Sequence, residues 1–242
     1  MSAYANLRKY HHYEVENRRQ SFVKCKGAIK NYERGFNLCS KTISDIFTKA
    51  NTTLPIPSKR AARLIAFRLM GTMQSIRDLT LMGYYYESLI LQRSFLESIG
   101  LIAYLSENEE EATLWTQNKK ISVSTFKLIE NISKFLQIDG GKQGPYLVKF
   151  YGELCNYAHS NMLAVFSLFL LDEKEEIEID GTKIVSLPIR LPSAFNEQLV
   201  IDITFLPMIL LLTIGKVFGA DISKTRKLEI EKLLETIRET RN

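Results

Sequence analysis

Apolar residues recur at helical spacing along most of the chain. Between residues 4 and 50 they fall on one side of a helix drawn at about 100° per residue. The members of this apolar face are Phe22, Cys25, Ile29, Tyr32, Phe36, Cys39, Ile43 and Phe47. The pattern predicts one long amphipathic helix, in which Gly27 or Gly35 permits a break or a kink.

Further helices follow after two prolines within residues 51–57. Ser58 is the expected N-cap of the second helix, because its hydroxyl can accept from a free amide of the first turn. Ser106 and Glu109 match a capping box and predict the start of the third helix. The second, third and fourth helices are expected at 59–105, with bends permitted at Gly71 and Gly83, at 107–136 and at 146–171.

The pattern changes near residues 176–191. Two short runs rich in β-branched residues flank Asp180-Gly181, a dipeptide suited to a type I′ turn, and they predict a β-hairpin. Helices resume over 196–218 and 221–241, with Gly219 between them. The expected fold is therefore an all-α, multi-helix bundle with a β-hairpin insertion. We expect a single domain with four segments: 1–57 (basic helix and linker), 58–171 (core), 172–195 (hairpin) and 196–242 (C-terminal helices).

Positive charge is concentrated in the first third of the chain. Of the 242 residues, 45% are hydrophobic and 24% charged, which fits a folded domain and excludes disorder. Residues 1–77 hold 15 basic and 4 acidic residues, a surplus of 11 positive charges, so the total of +5 leaves −6 on the remainder. Six basic residues of the first helix, together with His12, fall within an arc of about 80° and would extend roughly 50 Å. These six are Arg8, Arg19, Lys26, Lys30, Arg34 and Lys41, called the basic stripe below.

The basic stripe has three interpretations. It is a solvated face or one packed beside the acidic remainder, a contact for nucleic-acid phosphates, or a contact for an anionic membrane. The absence of interleaved aromatic residues favours contact with the phosphate backbone over stacking on bases.

Several other classes of protein are disfavoured. Three cysteines without a close pair indicate neither a disulfide framework nor a metal motif, and with no apolar leader they favour the cytoplasm. The longest uncharged apolar run, 203–215, is shorter than the about 20 residues that span a bilayer, so we expect no membrane insertion. The pair His11-His12 has no further ligand nearby, and no phosphate-binding loop or hydrolase motif occurs. We therefore expect neither a metal nor another cofactor.

Polar residues interrupt two otherwise apolar helical stretches. Arg93 and Glu97 are four apart and can pair at a partly buried seam. Asn156, His159 and Ser160 lie on one face of the fourth predicted helix, and an imidazole can act as an acid or base near pH 7. These residues form either a structural polar network or a functional site.

The same two stretches resemble an uncharacterised bacterial family of helical proteins related to the HEPN superfamily. The resemblance covers about residues 58–171 and rests on Glu87, Arg93-Ser94, Leu96-Glu97, Tyr151, Leu154 and Tyr157-Ala158-His159-Ser160. It implies an all-α bundle, frequent dimerisation, and association with RNA cleavage, toxin–antitoxin pairs or antiphage defence. HEPN ribonucleases carry an arginine and a histidine with four to six residues between them. The arginine stabilises phosphate charge, and the histidine assists attack by a ribose 2′-hydroxyl without a metal. Here no arginine lies between Arg93 and His159, and Asn156 stands three residues before the histidine.

Two functions follow from these observations. The first is a HEPN-like binding module, expected as a homodimer, that contacts RNA, a nucleotide or a partner protein. The alternative is a metal-independent endoribonuclease, in which Arg93 binds the phosphate and His159 takes the proton. Asn156 would orient either the imidazole or the phosphate. In that alternative Glu97 and Ser160 support the site, and the basic stripe guides RNA to it.

Overall fold

The computed structural model describes residues 3–50, 56–136, 144–158, 175–179, 182–186 and 199–220, with positions 226, 228–230, 232–233 and 235. This part of the chain is mostly helical, which confirms the all-α class. The helices are α1 (Ala3–Lys24), α2 (Lys26–Lys49), α3 (Pro57–Met82), α4 (Tyr85–Glu107), α5 (Glu109–Thr116), α6 (Thr125–Leu136), α7 (Gly144–Ala158) and α8 (Phe205–Val217). Two strands, β1 (Glu175–Ile179) and β2 (Thr182–Ser186), pair antiparallel with Ile177 opposite Ile184. The turn between the strands, Asp180-Gly181, lies outside the described residues.

The first predicted helix is divided into α1 and α2 at Cys25. Its amide still donates to the Ser21 carbonyl at 2.8 Å, and its own carbonyl accepts from the Ile29 amide at 2.9 Å, so the hydrogen bonds continue across the distortion. The distortion lies two residues before Gly27, close to one of the two sites where the sequence permits it. Most of the predicted apolar face is buried, whereas Phe22 is 39% exposed and does not belong to the core.

Helix α8 is the centre of the hydrophobic core. Its own residues are buried on nearly every side of the helix, as expected for a core helix. It packs against α2, α3, α4 and α6, and Gly219 ends this helical region with a φ of +58°, as the sequence predicts. The longer helical segment Leu199–Val217, which includes α8, is long and apolar enough to cross a bilayer, but 72% of its apolar stretch is buried inside the structure.

The second predicted helix is also two helices, α3 and α4, joined at Gly83. This glycine has a φ of +93°, the left-handed conformation that ends many helices. Side chains of α1 satisfy the last carbonyls of α3: Asn17 donates to Met82 at 3.4 Å and Ser21 donates to Leu81 at 3.2 Å. The corner between α3 and α4 is therefore held by α1.

The predicted helix caps are wrong at two sites. The N-cap of α3 is Ile56, not Ser58, and the Ser58 amide instead donates to Glu109 Oε1 at 3.1 Å. Ser106 lies inside α4, and its hydroxyl donates to the Ala103 carbonyl at 2.7 Å. The capping box does not form because Glu109 caps a different helix.

The third predicted helix is divided into α5 and α6. Asn118, with a φ of +59°, turns the chain after α5. Helix α6 then returns to pack against both α4 and α7, and its backbone lies close to Gly100 of α4. A Cβ atom at that glycine would lie 2.6 Å from the carbonyl oxygen of Leu128, so only glycine fits without movement of the backbone. This contact fixes the position of α6 beside the polar residues of α4.

Candidate functional site

Arg93 and Glu97 pair on α4 as the sequence predicts. The Arg93 Nε atom donates to Glu97 Oε1 at 2.8 Å, and the two side chains are 24% and 31% exposed. The residues lie one helical turn apart, which is the spacing that lets side chains meet on a helix surface. Their partial exposure confirms that the pair occupies a partly buried seam.

A buried tyrosine of α7 completes this cluster. The Tyr151 hydroxyl donates to Glu97 Oε1 at 2.6 Å and accepts from Arg93 Nε at 3.4 Å. The Arg93 guanidinium carbon also lies 5.7 Å from the centre of the Tyr151 ring. We call Arg93, Glu97 and Tyr151 the α4–α7 network, because their hydrogen bonds join these two helices.

The α4–α7 network has perturbed protonation equilibria. Burial raises the pKa of Tyr151, and the hydrogen bond to Glu97 raises it further. Burial alone acts to lower the pKa of Arg93, but its hydrogen bonds to Tyr151 and Glu97 outweigh that effect and raise it. The geometry therefore favours a neutral tyrosine beside a charged arginine.

Two neighbours enclose Tyr151. Phe126 of α6 packs edge-on to the tyrosine ring, with 5.7 Å between the ring centres and 86° between the ring planes. Cys155, one turn along α7, is half-buried and interacts with the Tyr151 hydroxyl through a hydrogen bond that also raises the pKa of the tyrosine. Three helices thus meet around a single phenol group.

Most of the remaining predicted catalytic side chains are not among those that the structure describes. Asn156 belongs to the last turn of α7, but its side chain is not described, and His159 and Ser160 lie outside the described residues. The sequence analysis did not include Tyr151 among the site residues. The available signal was its phenol group in an otherwise apolar stretch, because a buried tyrosine hydroxyl usually has a hydrogen-bond partner.

A second polar cluster lies deeper in the core, between α3 and α4, and the sequence analysis did not predict it. The hydroxyls of Thr80 and Ser88 are 2.6 Å apart, and Gln92 donates to Ser88 at 3.4 Å. All three residues are almost completely buried. Because they satisfy one another, they stabilise the packing of α3 on α4.

The basic stripe does not form one continuous array. The distortion at Cys25 separates Arg8 and Arg19 on α1 from the other four residues on α2. The side chain of Arg8 is not among those that the structure describes. Arg19 donates to Glu16 at 3.0 and 2.9 Å, and Arg34 donates to Glu229 at 3.1 Å. The hydrogen bond to Arg19, followed by one to Gln20, lowers the pKa of Glu16 to about 2.

Three lysines of the stripe differ from these arginines. Lys26, Lys30 and Lys41 are exposed, and none of them forms an ion pair with a carboxylate in the described part of the chain. All three belong to α2, whose opposite face packs against α8. Lys26 and Lys30 are one helical turn apart, so they share one side of the helix.

The described residues contain no group of three His, Cys, Asp or Glu side chains placed to hold a metal ion. His11 and His12 are both exposed, and His11 interacts with Glu14 at 3.4 Å. Comparison of the chain with protein families, with characterised proteins and with solved structures found no match.

Proposed function

We propose that this chain is a HEPN-like helical module that binds RNA through the lysines of α2. The observation that carries the proposal is the exposure of Lys26, Lys30 and Lys41, none of which forms an ion pair with a carboxylate among the described residues. Cations on a rigid helix can follow a phosphate backbone and release its counterions. RNA is chosen over DNA because of the HEPN resemblance of residues 58–171.

The α4–α7 network supports binding rather than catalysis. A phosphate that approached the Nε side of Arg93 would have to displace Glu97, which lies 2.8 Å away and carries the opposite charge. The same carboxylate accepts the hydrogen bond of Tyr151, so its displacement would also leave a buried hydroxyl without that partner. In this proposal the network holds α4 on α7.

The resemblance also supplies the finer parts of the proposal. Residues 58–171 form the HEPN-like core, the hairpin is an insertion after it, and two copies associate as a cytoplasmic dimer in a toxin–antitoxin or antiphage setting. Exposed apolar side chains on α1 and α3 offer surface for such association, among them Val15, Val23 and Phe67. Light scattering of the purified protein at micromolar concentration should give twice the mass of one chain; a monomer would contradict the dimer.

The test of RNA binding is the triple variant Lys26→Ala/Lys30→Ala/Lys41→Ala. If each lysine neutralises one phosphate of a single strand, the slope of log affinity against log salt should decrease by about 2, at about 0.7 per contact. Fluorescence anisotropy with a labelled single-stranded RNA and the DNA of the same sequence measures both the affinity and this slope.

The matched control removes three exposed lysines of α6 and α7, as Lys127→Ala/Lys134→Ala/Lys149→Ala. It changes the net charge by the same amount and should leave the salt slope close to that of the wild type. Equal slopes for the two triple variants would contradict the proposal. Chelator-resistant RNA cleavage that is lost in both Arg93→Ala and His159→Ala would instead favour the endoribonuclease.

A further inference from the structure

An open cleft lies between α3 and the chain that follows α5. Its volume is about 510 Å³, within the range of about 300 to 1,000 Å³ that is common for small-molecule sites. The residues that matter for its chemistry are Arg60, Leu64, Trp115, Lys119, Lys120 and Ile121. The cleft uses neither the α4–α7 network nor the lysines of α2.

The end of α5 creates the cleft. Asn118 takes a φ of +59°, a conformation that asparagine tolerates better than most residues, and the Lys119 amide then donates to the Leu114 carbonyl at 2.9 Å. This turn reverses the chain directly after Trp115 and leaves Lys119 and Lys120 exposed. Trp115 itself is half-buried and packs against the hydrophobic core, so its position is fixed.

The lining combines two kinds of surface. Arg60, Lys119 and Lys120 supply three positive charges, none of the lining residues is acidic, and none of these cations forms an ion pair with a described carboxylate. Beside them, the Trp115 indole, Leu64 and Ile121 offer an apolar surface that includes one large ring. The cleft therefore offers positive charge for an anionic group and an apolar surface for a flat ring.

We propose that this cleft binds a nucleoside phosphate, with the base against Trp115 and the phosphate neutralised by Arg60, Lys119 and Lys120. Aromatic side chains stack on bases, and arginine and lysine bind phosphate through charge-assisted hydrogen bonds. The same chemistry is present in a free nucleotide and in one unit of a single strand. The site is separate from the RNA contact proposed for α2 and does not depend on it.

The 242-residue chain contains a reporter for this site, since Trp115 is the only tryptophan of this sequence. A base stacked on the indole should quench its fluorescence, and the quenching should saturate. The probes are adenosine 5′-monophosphate, inorganic phosphate, and a short single-stranded oligoadenylate. Quenching by the monophosphate identifies a free nucleotide as ligand, whereas quenching by the oligoadenylate alone identifies a unit of a strand; either result supports the proposal.

The diagnostic variant is Lys119→Ala/Lys120→Ala, which changes two exposed side chains outside any helix. It should weaken binding of the quenching probe about tenfold or more. The variant Lys134→Ala/Lys149→Ala removes two exposed lysines elsewhere and should bind that probe as the wild type does. Absence of saturable quenching by any probe, equal quenching by inorganic phosphate, or equal affinity of the two variants would overturn the proposal. Loss of RNA binding in the α2 lysine variant with quenching retained would separate the two sites.

Discussion

The close approach of α4 to α6 gives a sharp prediction about Gly100. Replacement of Gly100 by alanine places a Cβ atom 2.6 Å from the Leu128 carbonyl oxygen and 2.8 Å from its carbonyl carbon. Both atoms belong to the backbone of α6, so the clash cannot be relieved by rotation of a side chain. Overpacking of this kind costs about 1 to 3 kcal/mol.

The control for this substitution is Gly71→Ala on α3. A Cβ atom at Gly71 would meet nothing within 4 Å. Both substitutions gain helix propensity, about 0.5 to 1 kcal/mol, because alanine restricts the unfolded chain more than glycine does. The difference in unfolding free energy between the two variants therefore isolates the steric cost, about 1 to 3 kcal/mol.

Urea unfolding followed by far-ultraviolet circular dichroism measures this difference directly. In a thermal scan, a difference of about 2 kcal/mol corresponds to roughly 4 to 8 °C for a chain of this length. Gly71→Ala should be at least as stable as the wild type, and Gly100→Ala less stable. Equal stability of the two variants would refute the close packing of α4 on α6.

Three further substitutions test the polar clusters by urea unfolding. Arg93→Met should lower the unfolding free energy by about 1 to 2 kcal/mol, because Glu97 loses its charged partner. The control, Arg19→Met, removes a highly exposed ion pair and should not change the unfolding free energy measurably. Equal losses in the two variants would contradict the α4–α7 network. Ser88→Ala should cost about 1 to 3 kcal/mol in the dry core, so an unchanged midpoint would refute that cluster. Burial raises the pKa of Tyr151 above its ordinary value of about 10, so the stability that the neutral tyrosine contributes is present below about pH 10 and is lost as pH rises further. Tyr151→Phe should therefore lose less stability between pH 10 and higher pH than the wild type does. An identical dependence of stability on pH in the two proteins would contradict the burial of this hydroxyl.

The sequence predicted features that depend on local chemistry. The apolar face of α2 is visible because residues such as Ile29, Tyr32 and Ile43 repeat at the helical period, and they are buried. Gly219 ends a helical region as expected, and Gly83, where only a bend was expected, separates two helices; both adopt a positive φ. These signals concern one residue or one helical face, so they can be read without knowledge of the fold.

Features that depend on distant residues were missed or predicted incorrectly. Ser58 and Glu109 each match a local capping pattern, yet they bond to each other across 51 residues of sequence. Tyr151 donates a hydrogen bond to Glu97, which is 54 residues away in sequence. Arg34 pairs with Glu229, which is 195 residues away. A single sequence does not identify such distant partners. The local pair of Arg93 and Glu97 was therefore predicted, whereas its contact with Tyr151 was not. For the basic stripe, packing beside the acidic remainder was one interpretation, but Glu229 could not be named as the partner of Arg34.

The central position of α8 has a consequence for synthesis of the protein on the ribosome. Residues Phe205–Val217 emerge after all of α1 to α7, although α2 packs directly against them. Until they emerge, the apolar face of α2 lacks its main helical partner. Contacts so distant in sequence are slow to form. We therefore expect the nascent chain to remain incompletely packed, and sensitive to proteases, until this late helix enters the space that the earlier helices leave for it.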